Sequence, residues 1–134
     1  MIYPWPPPSE VPALIAWADD LALARRGATA DEVLNLRKLA ATTDDMLACA
    51  VADAVGHVGT PASDAWPEMV ALLADRGRPH WVRDTAAYAL GMIGVCNAAV
   101  TAALVRAAAE KGDAGCRNVA AVAAEALASL AVAP

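Results

Sequence analysis

Two stretches of this chain repeat each other, and that repetition limits its fold more than any single residue does. The first is Ala50-Val51-Ala52-Asp53-Ala54-Val55-Gly56-His57-Val58-Gly59. The second is Thr85-Ala86-Ala87-Tyr88-Ala89-Leu90-Gly91-Met92-Ile93-Gly94, displaced by 35 residues. A third copy, Ala124-Glu125-Ala126-Leu127-Ala128-Ser129-Leu130-Ala131, follows at an offset of 37. A period between 20 and 50 residues built on helical patterns is the mark of a stacked solenoid, in which no unit can bury its apolar face alone. The small residues have a physical role in such a stack. Alanines at 52, 54, 87, 89, 124 and 126 let neighbouring helices approach, and Val55, Leu90 and Leu127 fill the space between layers.

Composition agrees with helices. Of the 134 residues 58% are apolar, much of that alanine, and phenylalanine is absent. Alanine loses no side-chain entropy in a helix, and the shortage of β-branched and aromatic residues argues against a sheet. The start and stop signals divide the chain accordingly. Residues 1–9 form a proline-rich arm that cannot enter a helix. A helix over 10–27 starts near Ser9 and ends at Gly27, with Arg25 and Arg26 in its last turn. Helical hairpins then occupy about 29–59, 61–95 and 97–132 of a single domain, 10–134. Thr29 caps the first of these helices, and Thr42 or Thr43 the next. A turn at Thr60-Pro61 precedes a helix over Ser63 to Arg76, and Gly77 and Pro79 end that helix.

The run Trp81-Val82-Arg83-Asp84-Thr85-Ala86-Ala87-Tyr88-Ala89-Leu90-Gly91-Met92-Ile93-Gly94 resembles the second helix of a HEAT-like repeat, whose pattern is V-R-x-x-A-A-x-A-L-G-x-I-G. The other two copies depart from it: Ala48 and Ala120 stand where the arginine is expected, and the final glycines become Ala128 and Ala131. The resemblance implies an all-α, short right-handed α-solenoid of about three HEAT-like hairpins, with residues 10–27 as an N-terminal capping helix. It also implies that the second helices line a concave face, and that Arg83 braces the neighbouring layer by pairing with an acid.

The alignment places Asp53, Tyr88 and Glu125 in one slot of successive layers. His57, Met92 and Ser129 fall one turn later, and Cys49, Asp84 and Ala121 one turn earlier. Residues four apart on a helix share a face. Asp53, His57, Asp84, Tyr88 and Glu125 therefore form a candidate binding ridge, with Arg83 on its border. A basic cluster, Arg76, Arg78, His80 and Arg83 with Trp81 beside it, is a second candidate, for phosphate. Trp17, Trp66 and Trp81 fall among apolar neighbours and are expected in the core.

Charge narrows the partners. The formal net charge is −5, whereas nucleic-acid binders carry strong basic patches. The balance favours a neutral or basic protein over DNA, RNA or an anionic membrane. Thr85 to Val105 carries no charge, yet it is rich in alanine and glycine and crosses a repeat boundary, so no membrane span is expected. The three cysteines, Cys49, Cys96 and Cys116, form no C-x-x-C pair and read as reduced, partly buried small hydrophobes of a cytoplasmic protein. Cys49 and His57 are roughly 12 Å apart along a helix of 1.5 Å rise, too far to share one metal ion. No phosphate loop, nucleophile elbow or dinucleotide fingerprint occurs, so the sequence names no catalytic residue, cofactor or metal.

These readings converge on a non-enzymatic protein–protein interaction module for a neutral or basic partner, one form of which is an immunity or inhibitor protein that neutralises a basic toxin or nuclease. Two alternatives remain open. Some HEAT-like proteins resemble bilin lyases or DNA-repair glycosylases, which would make this a small enzyme or enzyme accessory with a concave-face pocket around Asp53, His57 and Tyr88. The acidic balance opposes the glycosylase and the small size opposes the lyase. Self-assembly is the third reading: Val119 to Val132 carries only Glu125 as a charge, an apolar terminal helix that a second copy could cover in a homodimer.

Overall fold

The computed structural model describes residues 10–23 and 28–131. Among them are seven α-helices: α1 (Val11–Leu23), α2 (Ala30–Leu39), α3 (Asp45–Val58), α4 (Trp66–Ala74), α5 (His80–Ile93), α6 (Ala98–Ala108) and α7 (Ala114–Ala131). A 3-10 segment, Thr60–Ala65, leads into α4. The proline-rich arm, Arg25, Arg26, Gly27 and Val132 lie outside the described residues.

The helices form antiparallel hairpins α2/α3, α4/α5 and α6/α7, stacked so that α1, α3, α5 and α7 make one row. The N-terminal helix is therefore more than a lid. It packs on α3 as α3 packs on α5, with Trp17, Ala18 and Leu21 buried. The row is held by the repeated small and large residues. Ala52, Ala54, Val55, Ala87, Ala89 and Leu90 are fully buried. The last copy differs: Ala124 is exposed and Leu127 only partly buried, because α7 has a neighbour on one side alone. Gly91 shows how close the row helices run. A methyl group there would stand 3.1 Å from Cα and Cβ of Ala126 on α7.

Local chemistry sets the helix ends. Thr29 and Glu32 form a reciprocal capping box at the start of α2, satisfying two backbone donors. The start of α3 corrects the expectation of a threonine cap. Asp44 accepts from the Leu47 amide, and Thr42 instead accepts from the amide of Asp44. The helix expected over Ser63 to Arg76 is also shorter. Pro67 has no N–H and its ring crowds the preceding turn, so the α-helical part begins at Trp66, with proline tolerated in its first turn, and stops at Ala74. Asn97 caps α6 through the Val100 amide. The uncharged stretch Thr85 to Val105 is split between α5 and α6, and among the described residues no helix is long and apolar enough to cross a membrane.

Candidate functional site

The aligned slots of α3 and α5 do lie on one exposed face. Along α3 the sequence presents Met46, Cys49, Asp53 and His57; along α5, Trp81, Asp84, Tyr88 and Met92, each 35 residues on. Met46 is 65% exposed, Trp81 39%, Tyr88 37% and Met92 48%. The His57 and Tyr88 rings meet at 6.1 Å between centroids. The Tyr88 ring lies over Gly56, where a Cβ would come within 2.7 Å of it; the missing side chain of Gly56 lets the ring settle on α3. The equivalent residues of α7, Asn118, Ala121, Glu125 and Ser129, are exposed but short or polar.

Two acids on this face, Asp53 and Asp84, are held differently from the paired acids of the chain. His57 Nδ1 lies 2.9 Å from the Asp53 carbonyl oxygen and 3.3 Å from its carboxylate, with both side chains nearly half exposed. Asp84 is half-buried, and burial pushes its carboxyl above the ordinary 3.8, partly offset by His80. Between α1, α3 and α5 the face opens into a cleft of about 260 Å³, walled by Ile15, Met46 and Trp81, with Asp19 and Asp53 at its sides. Cys49 lines it, its thiol 3.7 Å from the Trp81 carbonyl and 3.6 Å from the Thr85 hydroxyl. Burial raises the Cys49 pKa above the ordinary 9.0, the Thr85 hydroxyl partly offsets this, and Asp53, Asp84 and Asp19 raise it further, which disfavours the nucleophilic thiolate. His57 and Tyr88 do not line this cleft.

Arg83 is elsewhere. It is only 5% exposed and leaves the ridge entirely. Its Nε donates to the Leu73 carbonyl at the end of α4, and its guanidinium forks onto Glu110 just beyond α6, with Nη1 to Oε1 at 2.9 Å. This is the bracing role that the resemblance implied. The guanidinium holds the Glu110 carboxyl below the usual 4.5. Arg78 is similarly committed, donating to Asp45 Oδ1 at 3.0 Å and to the Thr42 carbonyl. Arg37 on α2 pairs with Glu68 on α4. The expected basic cluster is thus largely an ion-pair network between layers. Arg76, Arg78, His80 and Arg83 do border a cleft of about 470 Å³ beside the start of α7, but Glu110, Asp75 and Asp45 already answer the three arginines.

Further corrections concern buried residues. Trp17 is in the core and Trp66 packs against it, but Trp81 is exposed. All three cysteines are free; Cys49 and Cys116 are partly buried, whereas Cys96 is exposed in the α5–α6 turn. Among the described residues no group of three or more His, Cys, Asp or Glu side chains converges as metal ligands do. The sequence missed Asp19, Met46 and Trp81 as members of the face. Met46 and Trp81 were findable, since they share the 35-residue offset; Asp19 was not, because no repeat copy aligns with α1.

The family model of HEAT repeats matches residues 33–128. No curated protein sequence matches the chain. Among solved structures, human deoxyhypusine hydroxylase in complex with glycerol is similar, with a TM-score of 0.64 and 22% identity, over 94% of this chain and 46% of that one. The chain thus spans about half the length of that relative, and at this identity the likeness is one of fold. With the repeat offset, the stacked row of helices and a family match over residues 33–128, this chain belongs to the HEAT-repeat family.

Proposed function

We propose that this chain is a non-catalytic interaction module that holds a basic segment of a protein partner on the exposed face of α1, α3, α5 and α7. One observation carries the reading. Four of the large exposed hydrophobic side chains, Met46, Trp81, Tyr88 and Met92, stand on the same face as Asp19, Asp53, Asp84 and Glu125. Scattered exposed apolar residues are ordinary, but a set gathered on one face and rimmed by charge is what a binding surface presents. The acids make that surface attractive to a positively charged partner and speed encounter with it. An immunity- or inhibitor-type protein that neutralises a basic toxin or nuclease is one form of this role.

The test is affinity capture from the native lysate with the wild-type chain and with a variant carrying Asp19→Asn, Asp53→Asn and Glu125→Gln. The expected result is a basic protein held at low salt, released at high salt and absent from the variant. Equal capture by both chains overturns the reading. Recovery of only the chain's own copies would transfer it to self-assembly through α7, whose outward Ala121, Ala124 and Ala128 are exposed.

A further inference from the structure

We infer that the cleft between α1, α3 and α5 receives one arginine side chain of the partner, its guanidinium laid against Trp81 and forked toward Asp19 and Asp53. The inference rests on the reading above and names its anchor. Three features of the cleft select this occupant.

The first is charge. Asp19 and Asp53 reach the cleft from adjacent helices, and among the described residues no lysine, arginine or histidine lines it. Among the described residues neither acid pairs with a lysine or arginine; Asp53 has only its neighbour His57. This contrasts with Glu68 and Glu110, each taken by an arginine of the chain. Among the described residues no lysine or arginine competes for these carboxylates, so a cation from outside can pair with them.

The second is the wall. Trp81 is the best aromatic surface for a cation, and a planar guanidinium can stack on it while its N–H groups point sideways. Met46 and Ile15 complete an apolar channel for the aliphatic stem of a long basic side chain, which packs along such surfaces while its charge stays polar. An ammonium would use the carboxylates but could neither stack nor fork, so arginine is preferred to lysine.

The third is size. About 260 Å³ is smaller than the ~300–1,000 Å³ typical of small-molecule pockets. It suits one side chain delivered by a larger partner, with Tyr88 and Met92 beyond the cleft for the residues that follow.

The experiment titrates the full chain with two soluble peptides of alternating Gly-Ser and basic residues, one with arginine and one with lysine, at low salt. The indole N–H of Trp81 and the amide of Cys49 are followed by NMR. The arginine peptide is expected to shift both signals and to bind several-fold tighter than the lysine peptide. Trp81→Ala and Asp53→Asn are each expected to weaken it by about tenfold, and Asp31→Asn, an exposed acid on α2 outside the row of α1, α3, α5 and α7, by less than about twofold. Melting curves check that each variant folds, and Asp53→Asn serves alone if Trp81→Ala does not. An arginine peptide that binds Trp81→Ala and Asp53→Asn as well as wild type overturns the cleft while leaving the acidic-face reading intact. Equal binding of the two peptides with no movement of Trp81 does the same. Failure of both peptides to bind overturns both.

Discussion

The turn edge of the stack and the α3–α5 face are both rich in charge, and they use it in opposite ways. At the edge, Arg83 and Glu110 are nearly buried and bound to each other, at 6% and 7% side-chain exposure, and Arg78 ties the α4–α5 turn back to Asp45. On the face, Asp53 is 44% exposed and, among the described residues, pairs only with His57. The difference separates holding from binding. A buried pair is costly to break because removing one partner strands the other charge away from water. An exposed acid contributes little to folding and is available to something else. A positive residue in a repeat motif is therefore no sign of a binding surface: the motif arginine here is spent on its own hairpin, at Leu73, and on the next one, at Glu110.

Arg83→Ala gives the sharpest way to break this contrast. It should cost about 3–5 kcal/mol, read from urea denaturation. A loss below about 1 kcal/mol would mean that the latch does not hold the layers. Gly91→Ala comes next. Alanine gains up to about 1 kcal/mol of helix propensity over glycine, but its methyl group would press on the α7 backbone at Ala126. Overpacking of about 1–3 kcal/mol should win, so the variant melts lower. A higher melting temperature would show that α7 shifts freely.

Acid titration sharpens the comparison further. Glu110 is held below 4.5 when folded, so between these values the unfolded chain binds more protons. Its contribution is present above pH 4.5 and lost as pH falls. Glu110→Gln should be less stable at neutral pH yet lose stability less steeply in acid. Asp84 has the opposite sign. Its pKa is raised by burial, so the folded chain binds more protons just above 3.8, and stability from this group falls as pH rises through that window. Asp84→Asn should therefore cost no stability at neutral pH and steepen the acid loss. Parallel acid limbs for the two variants would erase the distinction between edge and face. The smallest effect belongs to Asp53→Asn, within about 0.5 kcal/mol of wild type by denaturation; a larger loss would make Asp53 a structural residue.

Much of the helical plan was readable. Thr29 with Glu32, Asn97 before α6 and the glycines closing α3 and α5 are local signals, and Gly59 and Gly94 do take positive φ of 75°. Errors arose where one local signal masked another. The threonines at 42 and 43 look like caps, yet Asp44, one step closer, accepts the Leu47 amide. A helix over Ser63 to Arg76 puts Pro67 in its interior, whereas the proline marks a helix start. Apolar neighbours in sequence point Trp81 to the core; in the structure it lines an open cleft with Asp19, Asp53 and Met46.

The sequence alone determined the helices, their 35-residue offset and which residues of α3 and α5 share a face, because backbone hydrogen bonding and helical period act over a few residues and repeat with the pattern. Tertiary structure decided the rest. Whether Arg83 meets solvent or Glu110, 27 residues away, depends on how hairpins stack. That Asp19 from α1 and Asp53 from α3 converge beside Trp81 from α5 depends on the packing of three helices, and no single helix carries that information.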